Sequence, residues 1–375
     1  MCPRIAPSPA EQTGNFLRKV IDAVRSQDFP YDKRVPKKVD WRAYDLAQAH
    51  EMADMLQIIR LSVEAADRRL ASRSKRRRGR GHPPTPAADV AKALLMQSYL
   101  GVPNRVAEGI VRLLGPSLGL SEGFSYKTVE RGYGRPDVEA LLDEVLALSN
   151  LPVKDLEKVF AVDGTGNSTR KRQNYADARA GQKREGDREG TKVVGAFPTG
   201  DHDFVYSVFV VGAVFKLIAS YRNTTRHDVG ELAAFPTLAR ETQARHPAME
   251  VMVGDGLYAG RPQCDLVTEL GAIARFLPHR NVTLKRLGSV GWIPMLMALY
   301  RDPQGWLRAY YQREASESVN SVIKNDNPQP LRKRLEGRRL LEDKLRGVCY
   351  NLKRLCYLHY MVGLSVTPVL LSAAG

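Results

Sequence analysis

The stretch Lys158-Val-Phe-Ala-Val-Asp163-Gly164 determines the fold that we expect for this chain. It is a short apolar run, rich in β-branched residues, and it ends in Asp-Gly. The stretch Glu250-Val-Met-Val-Gly-Asp255-Gly256 repeats the pattern further along. Such runs are typical of strands that are buried on both faces. The sequence therefore predicts a sheet with two buried strands, each ending in an aspartate at its carboxyl end.

The two aspartates, Asp163 and Asp255, are candidates for one shared site. In open α/β sheets the ligand crevice lies at the carboxyl edge of the strands, so neighbouring strands bring such residues together. For either Asp-Gly pair alone, a turn that follows a strand is at least as good an explanation. A third acidic residue is needed to strengthen the prediction of a site.

That third acid is Glu317, in the stretch Tyr310-Tyr-Gln-Arg-Glu-Ala-Ser-Glu317-Ser-Val-Asn-Ser-Val-Ile-Lys324. Tyr310, Arg313, Glu317 and Lys324 are separated by 3, 4 and 7 positions, and no Gly or Pro interrupts the stretch. This spacing predicts that the four side chains share one face of an α-helix. A carboxylate between two cations stays ionised. Taken alone, the cluster is better explained as a solvated helix face with paired charges.

Three converging carboxylates repel one another unless cations lie between them. Hard divalent ions with oxygen ligands, Mg²⁺ or Mn²⁺, are the natural occupants of such a site. Two of these ions can clamp the attacking and leaving oxygens of a phosphodiester. The pattern therefore favours metal-dependent phosphoryl transfer, with Asp163, Asp255 and Glu317 as both metal ligands and catalytic residues.

Together these residues resemble the DDE transposases of bacterial and archaeal insertion sequences. The spacing Tyr-x2-Arg-x3-Glu-x6-Lys of that family is met without a gap from Tyr310 to Lys324. The resemblance covers roughly residues 155 to 360 and includes Asp163-Gly-Thr165 and Tyr350-Asn351-Leu352. Residues 1–150 resemble no particular member of the family.

The resemblance implies an RNase H-like catalytic domain, a mixed α/β sheet flanked by helices. It implies that Asp163, Asp255 and Glu317 hold two Mg²⁺ or Mn²⁺ ions, and that Arg313 and Lys324 contact phosphates near the cut. By the same resemblance Tyr310 positions the strand. The enzyme would cut double-stranded DNA at the transposon ends, join them to target DNA and act as a homodimer.

Composition and charge support a polyanionic partner. The chain has 375 residues, 43% of them hydrophobic, and a formal net charge of +16. Nucleic acid is the first candidate and an acidic membrane surface the second. The uncharged end from Leu355 to Gly375 is interrupted by Gly363 and Pro368, so we expect a core helix and a tail, not a membrane span. Four scattered cysteines predict no disulfide framework. We expect a cytoplasmic, nucleoid-associated protein.

We predict five segments along the chain. They are a helical region (1–67), a basic Pro/Gly-rich linker (68–86), a helical unit (87–150), the catalytic domain (151–362) and a tail (363–375). The region before residue 150 is expected to be mainly helical and to bind DNA. Within the catalytic domain we expect strands at 157–162, 191–197, 204–212 and 214–221, a helix at 228–244 and a helix at 262–270.

Several basic stretches outside the acidic site are candidates for DNA binding. The linker carries Arg76, Arg77 and Arg78, and it is equally explained as a solvated linker. The stretch from Ser125 to Tyr133 predicts a helix capped by Ser125, with Lys127 and Arg131 exposed. It is either the recognition helix of a helix-turn-helix unit or a helix that serves only ordinary packing. A basic loop is expected from Gly166 to Gly190. The helices after residue 330 carry nine further cations, namely Arg332, Lys333, Arg334, Arg338, Arg339, Lys344, Arg346, Lys353 and Arg354.

Three other functions compete with transposition. Asp163-Gly-Thr165 resembles the motif of haloacid-dehalogenase phosphatases, but Ala161 stands where those enzymes have their nucleophilic aspartate. An RNase H-like nuclease or junction resolvase would share the three acids. A transposase-derived DNA-binding protein without activity predicts a broken acidic triad, whereas all three acids are present here.

Overall fold

The computed structural model of the chain describes residues 9–26, 28–29, 38–73, 84–172, 202–225 and 230–366. The linker residues Arg76, Arg77 and Arg78, most of the predicted basic loop and the expected strand at 191–197 lie outside the described residues. The other predictions can be compared with the structure.

The amino-terminal part is helical. Gly101 and Gly119 end two of its helices in the left-handed conformation, each with φ of 63°, which glycine adopts without strain. The six helices are α1 (Pro9–Arg25), α2 (Trp41–Arg73), α3 (Ala87–Leu100), α4 (Asn104–Leu118), α5 (Tyr126–Gly132) and α6 (Pro136–Leu148). Helix α2 continues six residues into the predicted linker, so Arg68, Arg69 and Arg73 lie on a helix.

The described strands form one five-stranded mixed sheet in the order β3-β2-β1-β4-β5. Their bounds are β1 (Val159–Arg172), β2 (His202–Gly212), β3 (Ile218–Thr224), β4 (Val251–Gly254) and β5 (Ile273–Phe276). Strands β1, β2 and β3 pair antiparallel, whereas β4 pairs parallel with β1 and β5 parallel with β4. The mixed sheet flanked by helices confirms the predicted α/β class, and its RNase H-like identity stays a prediction.

Helices flank the sheet. The crossover from β3 to β4 contains α7 (Glu231–Arg245), three residues later than the predicted start of this helix at 228. The remaining helices are α8 (Arg261–Glu269), α9 (Trp292–Arg301), α10 (Pro303–Tyr310), α11 (Glu314–Asp326) and α12 (Glu336–Val362). No helix among the described residues is long and apolar enough to cross a membrane.

Strand β1 is longer than the sequence predicts. The expected strand ends at residue 162, whereas β1 runs to Arg172 because its residues from Phe160 to Ser168 pair continuously with β2. The first part of the expected basic loop, from Gly166 to Arg172, is therefore strand. Strand β3 begins at Ile218, four residues later than predicted, after a turn that contains Lys216 with φ of 59°.

Helices cover both faces of the sheet, and this explains why the central part of β2, Val208 to Val211, is apolar at four successive positions. Val208 and Val210 belong to one hydrophobic core, with α1, α7 and α9, whereas Phe209 and Val211 belong to the other, with α2, α3, α6 and α12. Successive residues of a strand point to opposite faces, so a strand between two cores must be apolar at every position. Helices α1 and α2 therefore pack on the same sheet as the later helices.

A buried carboxylate fastens α12 to the sheet. Asp343 is 2% exposed, and its oxygens accept hydrogen bonds from Asn167 Nδ2 at 2.7 Å, Ser207 Oγ at 2.5 Å and Asn223 Nδ2 at 2.9 Å. The hydroxyl of Tyr221 donates a further hydrogen bond. These donors come from all three antiparallel strands, so one side chain of α12 spans that part of the sheet.

Asn351 makes a second such connection further along α12. Its Oδ1 accepts the backbone N–H of Ile218 at 2.8 Å, and its Nδ2 donates to the carbonyl of the same residue at 2.9 Å. Tyr350 donates its hydroxyl to the carbonyl of Lys216 at 2.7 Å. The stretch Tyr350-Asn351-Leu352 thus holds the start of β3 against the long helix.

We expect Asp343→Ala to lower the free energy of unfolding by about 3 kcal/mol or more, because several buried donors would lose their acceptor. Denaturant unfolding would measure this. The matched control is Asp143→Ala, which removes a carboxylate that is 51% exposed and pairs with Lys344, and should cost less than about 1 kcal/mol. Equal losses in the two variants would contradict a special role for the Asp343 network.

Candidate active site

The structure brings Asp163 and Asp255 to the same edge of the sheet. Ala161 in β1 pairs with Val253 in the parallel strand β4, and each aspartate stands two residues beyond its member of that pair. Asp255 follows the end of β4, as predicted, and its Oδ1 accepts the N–H of Leu257 at 2.8 Å. Asp163 does not end its strand, because β1 continues along β2. The two carboxylates nevertheless lie side by side.

The surroundings of Asp163 penalise its negative charge. Burial raises the pKa of this carboxyl group, and the nearby Glu231 and Asp255 raise it further, against the opposing effects of the Gly164 N–H and Arg313. The Oγ of Ser316, on α11, lies 3.4 Å from Asp163 Oδ2. A half-buried carboxylate with two acidic neighbours is a place where a cation would be stabilised.

Glu231 is a fourth acid at this edge that the sequence analysis missed. Its Oε2 accepts a hydrogen bond from the hydroxyl of the buried Tyr258 at 2.9 Å. Its Oε1 packs against Gly164 so closely that a Cβ there would lie 2.2 Å away. Burial raises the pKa of Tyr258, as do Glu231, Asp163 and Asp255, so the hydroxyl keeps its proton and donates. In the sequence, Glu231 is simply an acid in the first turn of a helix.

The predicted single helix from Tyr310 to Lys324 is wrong in its first part. Tyr310 is the last residue of α10, a 3-10 turn spans Tyr311–Arg313, and α11 begins at Glu314. The ring of Tyr310 is 7% exposed and stacks on Trp306 with 5.3 Å between the centroids. Since Trp306 and Leu307 anchor α10 in the core, the chain tightens its turn there before α11 starts.

Arg313 stands between the acids. Its Nη2 lies 2.7 Å from Oε1 of Glu317, whose side chain is 53% exposed. Burial opposes the charge of the guanidinium, but Tyr310, Glu317 and Asp163 outweigh it and raise the pKa of Arg313. The arginine therefore links the helix acid to the strand acid by charge. Lys324 is exposed on α11, and its amine makes no hydrogen bond or ion pair with a described residue.

A second arginine approaches the same edge from a distant part of the sequence. Arg25 ends α1, and its Nη2 donates to the carbonyl of Pro278 at 3.1 Å. The same nitrogen would lie 3.1 Å from a Cβ at Gly256, the residue after Asp255. Its charge also reaches Tyr310, whose pKa burial raises and Arg25 lowers slightly. Nothing in the sequence near Arg25 indicates this position.

The donor chemistry suits a hard divalent ion, although the acids are not gathered into a cage. Within the described ranges, no group of three His, Cys, Asp or Glu residues is close enough to hold a metal. Asp163 and Asp255 offer neighbouring carboxylates, whereas Glu317 is held by Arg313. A metal would have to compete with that ion pair before the third acid could become a ligand.

Helix α5 carries the two predicted DNA-binding cations of the helical unit. Lys127 and Arg131 are exposed, as expected, and make no ion pair with a described residue. Ser125 stands at the position before the helix but makes no capping hydrogen bond, which corrects the prediction. Glu108 of α4 accepts the N–H of Tyr126 at 3.0 Å in its place. DNA recognition by α5 stays a prediction.

The basic face predicted after residue 330 is largely turned inward. Lys333 and Arg338 pair with Glu130 of α5, at 2.5 and 2.7 Å. Lys344 lies 2.9 Å from Glu139 of α6, and its side chain is 13% exposed. These cations neutralise acids of the helical unit and hold it to α12, so they are not a free surface for phosphates.

Most of the other predicted cations in this region are also engaged or buried. Arg346 donates to the carbonyl of Gln329 at 2.7 Å, and Arg354 donates to the carbonyl of Phe215 at 2.9 Å. Lys353 pairs with Asp326 at 3.2 Å, and Arg339 is 3% exposed. Among the nine predicted cations after residue 330, Arg332 and Arg334 have guanidinium groups that make no hydrogen bond or ion pair with a described residue.

Comparison with known proteins gives one informative similarity. No protein-family model matches the chain. Over 347 residues the chain is 22% identical to a protein of Archaeoglobus fulgidus named "Probable transposase for insertion sequence element ISA1214". The alignment covers 90% of this chain and 95% of that protein. This distant similarity supports the transposase class and does not extend to the DDE subtype or to individual site residues.

From the raised pKa of Asp163 we predict how the free energy of unfolding depends on pH when no divalent metal is present. The folded protein keeps this proton longer than the unfolded chain does, so stability falls as pH rises from the ordinary value of 3.8 through the raised pKa. Asp163→Asn carries no charge and should be more stable than the wild type at neutral pH, with a difference that narrows towards acidic pH. Unfolding in EDTA across that range measures it.

The control for this experiment is Asp155→Asn, which changes a carboxyl group that is 69% exposed. It should alter the free energy of unfolding by less than about 0.5 kcal/mol at every pH. A wild type that is more stable than Asp163→Asn at neutral pH would show that the neighbouring acids do not penalise the Asp163 charge as argued.

Proposed function

We propose that the protein is a DDE transposase, which cuts DNA at the ends of an insertion sequence and joins those ends to target DNA. The observation that carries this proposal is the pair of neighbouring aspartates, Asp163 and Asp255, with Arg313 between the strand acid and Glu317. The distant similarity to a named transposase over 90% of the chain supports it.

In this proposal Asp163, Asp255 and Glu317 hold two Mg²⁺ or Mn²⁺ ions. When bound, such ions supply Lewis-acid stabilisation of the phosphodiester and lower the pKa of the attacking water or 3′-hydroxyl. The side chains of the protein do the rest. Arg313, which lies 2.7 Å from Glu317, would exchange this partner for a DNA phosphate, leaving the glutamate free to act as a ligand.

The residues around the acids have positioning roles. Tyr258 orients Glu231 against Gly164, next to Asp163, through the 2.9 Å hydrogen bond. Lys324 lies seven residues beyond Glu317 on α11, about 10 Å along the helix axis, with its amine in solvent. It would contact the phosphate backbone beside the cut. The family resemblance implies a homodimer that holds paired ends.

Removing any acid of the triad should abolish metal-dependent cleavage without unfolding the protein. Asp163→Asn, Asp255→Asn and Glu317→Gln should each lower the cleavage rate on the order of a thousandfold, because bound ions stabilise the transition state by several kcal/mol. The assay maps cut ends in the DNA that flanks the gene, with Mg²⁺. Asp155→Asn is the control and should cut at the wild-type rate. Near-normal cleavage by any triad variant would remove that acid from the mechanism.

A second experiment separates a transposase from a nuclease or resolvase of the same fold. Lys324→Ala should keep metal-dependent nicking but join pre-cut ends about ten- to a hundredfold more slowly, because a charge-assisted contact to phosphate contributes roughly 1.5–3 kcal/mol. Nicking and joining are scored separately on a supercoiled target.

The exposed Lys154 serves as the control in this experiment, since Lys154→Ala removes the same charge away from the site. If the wild type nicks DNA robustly but never joins ends in Mg²⁺ or in Mn²⁺, a nuclease is the better assignment. If Lys324→Ala joins as fast as Lys154→Ala, the lysine has no part in holding the DNA end.

A further inference from the structure

A cleft lies beyond the acidic edge, where the helical unit meets the catalytic part of the chain. Its volume is about 700 Å³. The corner between α3 and α4 forms one wall, α5 another, and the segment 326–335 with the start of α12 forms the third. Asp326, at the end of α11, lines the cleft, so the helix that carries Glu317 and Lys324 leads directly into it.

The walls of the cleft are held in place by a buried lysine. Lys333 is 9% exposed, and its amine bonds Glu130 at 2.5 Å and Asn104 at 2.9 Å. The amine also lies 3.8 Å from the centre of the Tyr133 ring. Because these contacts come from α4, α5 and the residue that follows it, the segment containing Lys333 is fixed against two of the walls.

The backbone beside this lysine is fixed as well. Oε2 of Glu342 accepts the N–H groups of Arg332 and Lys333, at 2.8 and 2.9 Å. Each of the three acids that line the cleft therefore has a partner within the protein. Glu130 pairs with Lys333, Glu342 accepts the backbone N–H groups, and Asp326 pairs with Lys353. Five cations and three acids line the cleft, so its lining carries a net positive charge that favours an anion.

Two positive charges in the cleft remain without a partner. Arg332 is half-buried and Arg334 is exposed, both line the cleft, and neither guanidinium bonds a described residue. They flank the fixed Lys333. Guanidinium groups are well suited to phosphate, because their planar fork presents several donors at once and less freedom is lost for each hydrogen bond formed.

We propose that this cleft binds the backbone of the DNA strand that leaves the acidic site, with Arg332 and Arg334 each contacting a phosphate. From Glu317 to Asp326 the helix advances about 14 Å, which corresponds to roughly four nucleotides of one strand. The inference rests on the proposed function for the identity of the ligand, and it adds a second DNA contact region that is separate from the acids.

The experiment measures DNA binding by the full chain in EDTA, so it does not depend on cleavage. Arg332→Ala/Arg334→Ala is compared with the wild type on labelled duplex from the DNA that flanks the gene, across a range of salt concentrations. The slope of log K against log salt should fall by about 0.9 for each lost phosphate contact, and affinity should drop about tenfold for each. Arg334→Ala alone, at an exposed position, should show half of the change in slope.

The matched control is Arg301→Ala/Arg308→Ala. These two arginines are exposed on α9 and α10 and make no ion pair with a described residue, so the change in net charge is the same. The control should keep the wild-type slope. Equal losses in both double variants would overturn the proposal, since the effect would then follow total charge and not the cleft.

Two further results separate this inference from its alternatives. If the Arg332→Ala/Arg334→Ala variant keeps the slope on DNA but loses the heat of binding to inorganic pyrophosphate, the cleft takes a small anion and the DNA proposal is overturned. A wild type that binds with the expected slopes but never cuts or joins DNA would refute the transposase assignment and leave the cleft as a DNA-binding site.

Discussion

The unequal pairing of β1 on its two sides creates the site. On one side β1 pairs with β2 as far as Ser168, and on the other it pairs with β4 only from Val159 to Ala161. Beyond that point no strand among the described residues pairs with this edge of β1, apart from the single bridge of Thr169 to Leu331. The crevice lies there, Asp163 stands at its beginning, and Asp255 faces it from the end of β4. Helix α11 and the segment after it lie along this edge, since Ser316 of α11 contacts Asp163 and Leu331 forms a parallel β-bridge with Thr169.

Electrostatics then determine what can enter the crevice. Burial raises the pKa of Asp163, and the like charges of Glu231 and Asp255 raise it further. Arg313 offsets part of this increase, and by doing so engages Glu317. Without metal, the negative charges of the acids are therefore only partly neutralised, and Arg313 is the residue that does so. A ligand that brings cations to the aspartates would reduce the repulsion between them, and a phosphate bound to Arg313 would release Glu317.

Local sequence patterns predicted the parts of the site that depend on local structure. The β-branched runs before Asp163 and Asp255 gave the buried strands, and the parallel pairing of those strands brought the aspartates together. The break after Tyr310 was not predictable, because it follows from the packing of Trp306 in the core and not from a Gly or Pro. Glu231 was missed because an acid in the first turn of a helix already has a local explanation.

Long-range ion pairs were the least predictable feature of the structure. They determine where the predicted DNA-binding residues lie relative to the acidic edge. A basic helix in the sequence gives no sign that Lys333 meets Glu130, 203 residues away. That pair, with Arg338, ties α5 to the start of α12. The exposed Lys127 and Arg131 of α5 are therefore held at a fixed distance from the cleft. Because the same helix α12 is fastened to the sheet through Asp343, the helical unit and the acidic edge share one rigid support. If α5 binds DNA, as predicted, the contacts described here would hold that DNA at a fixed distance from Asp163 and Asp255.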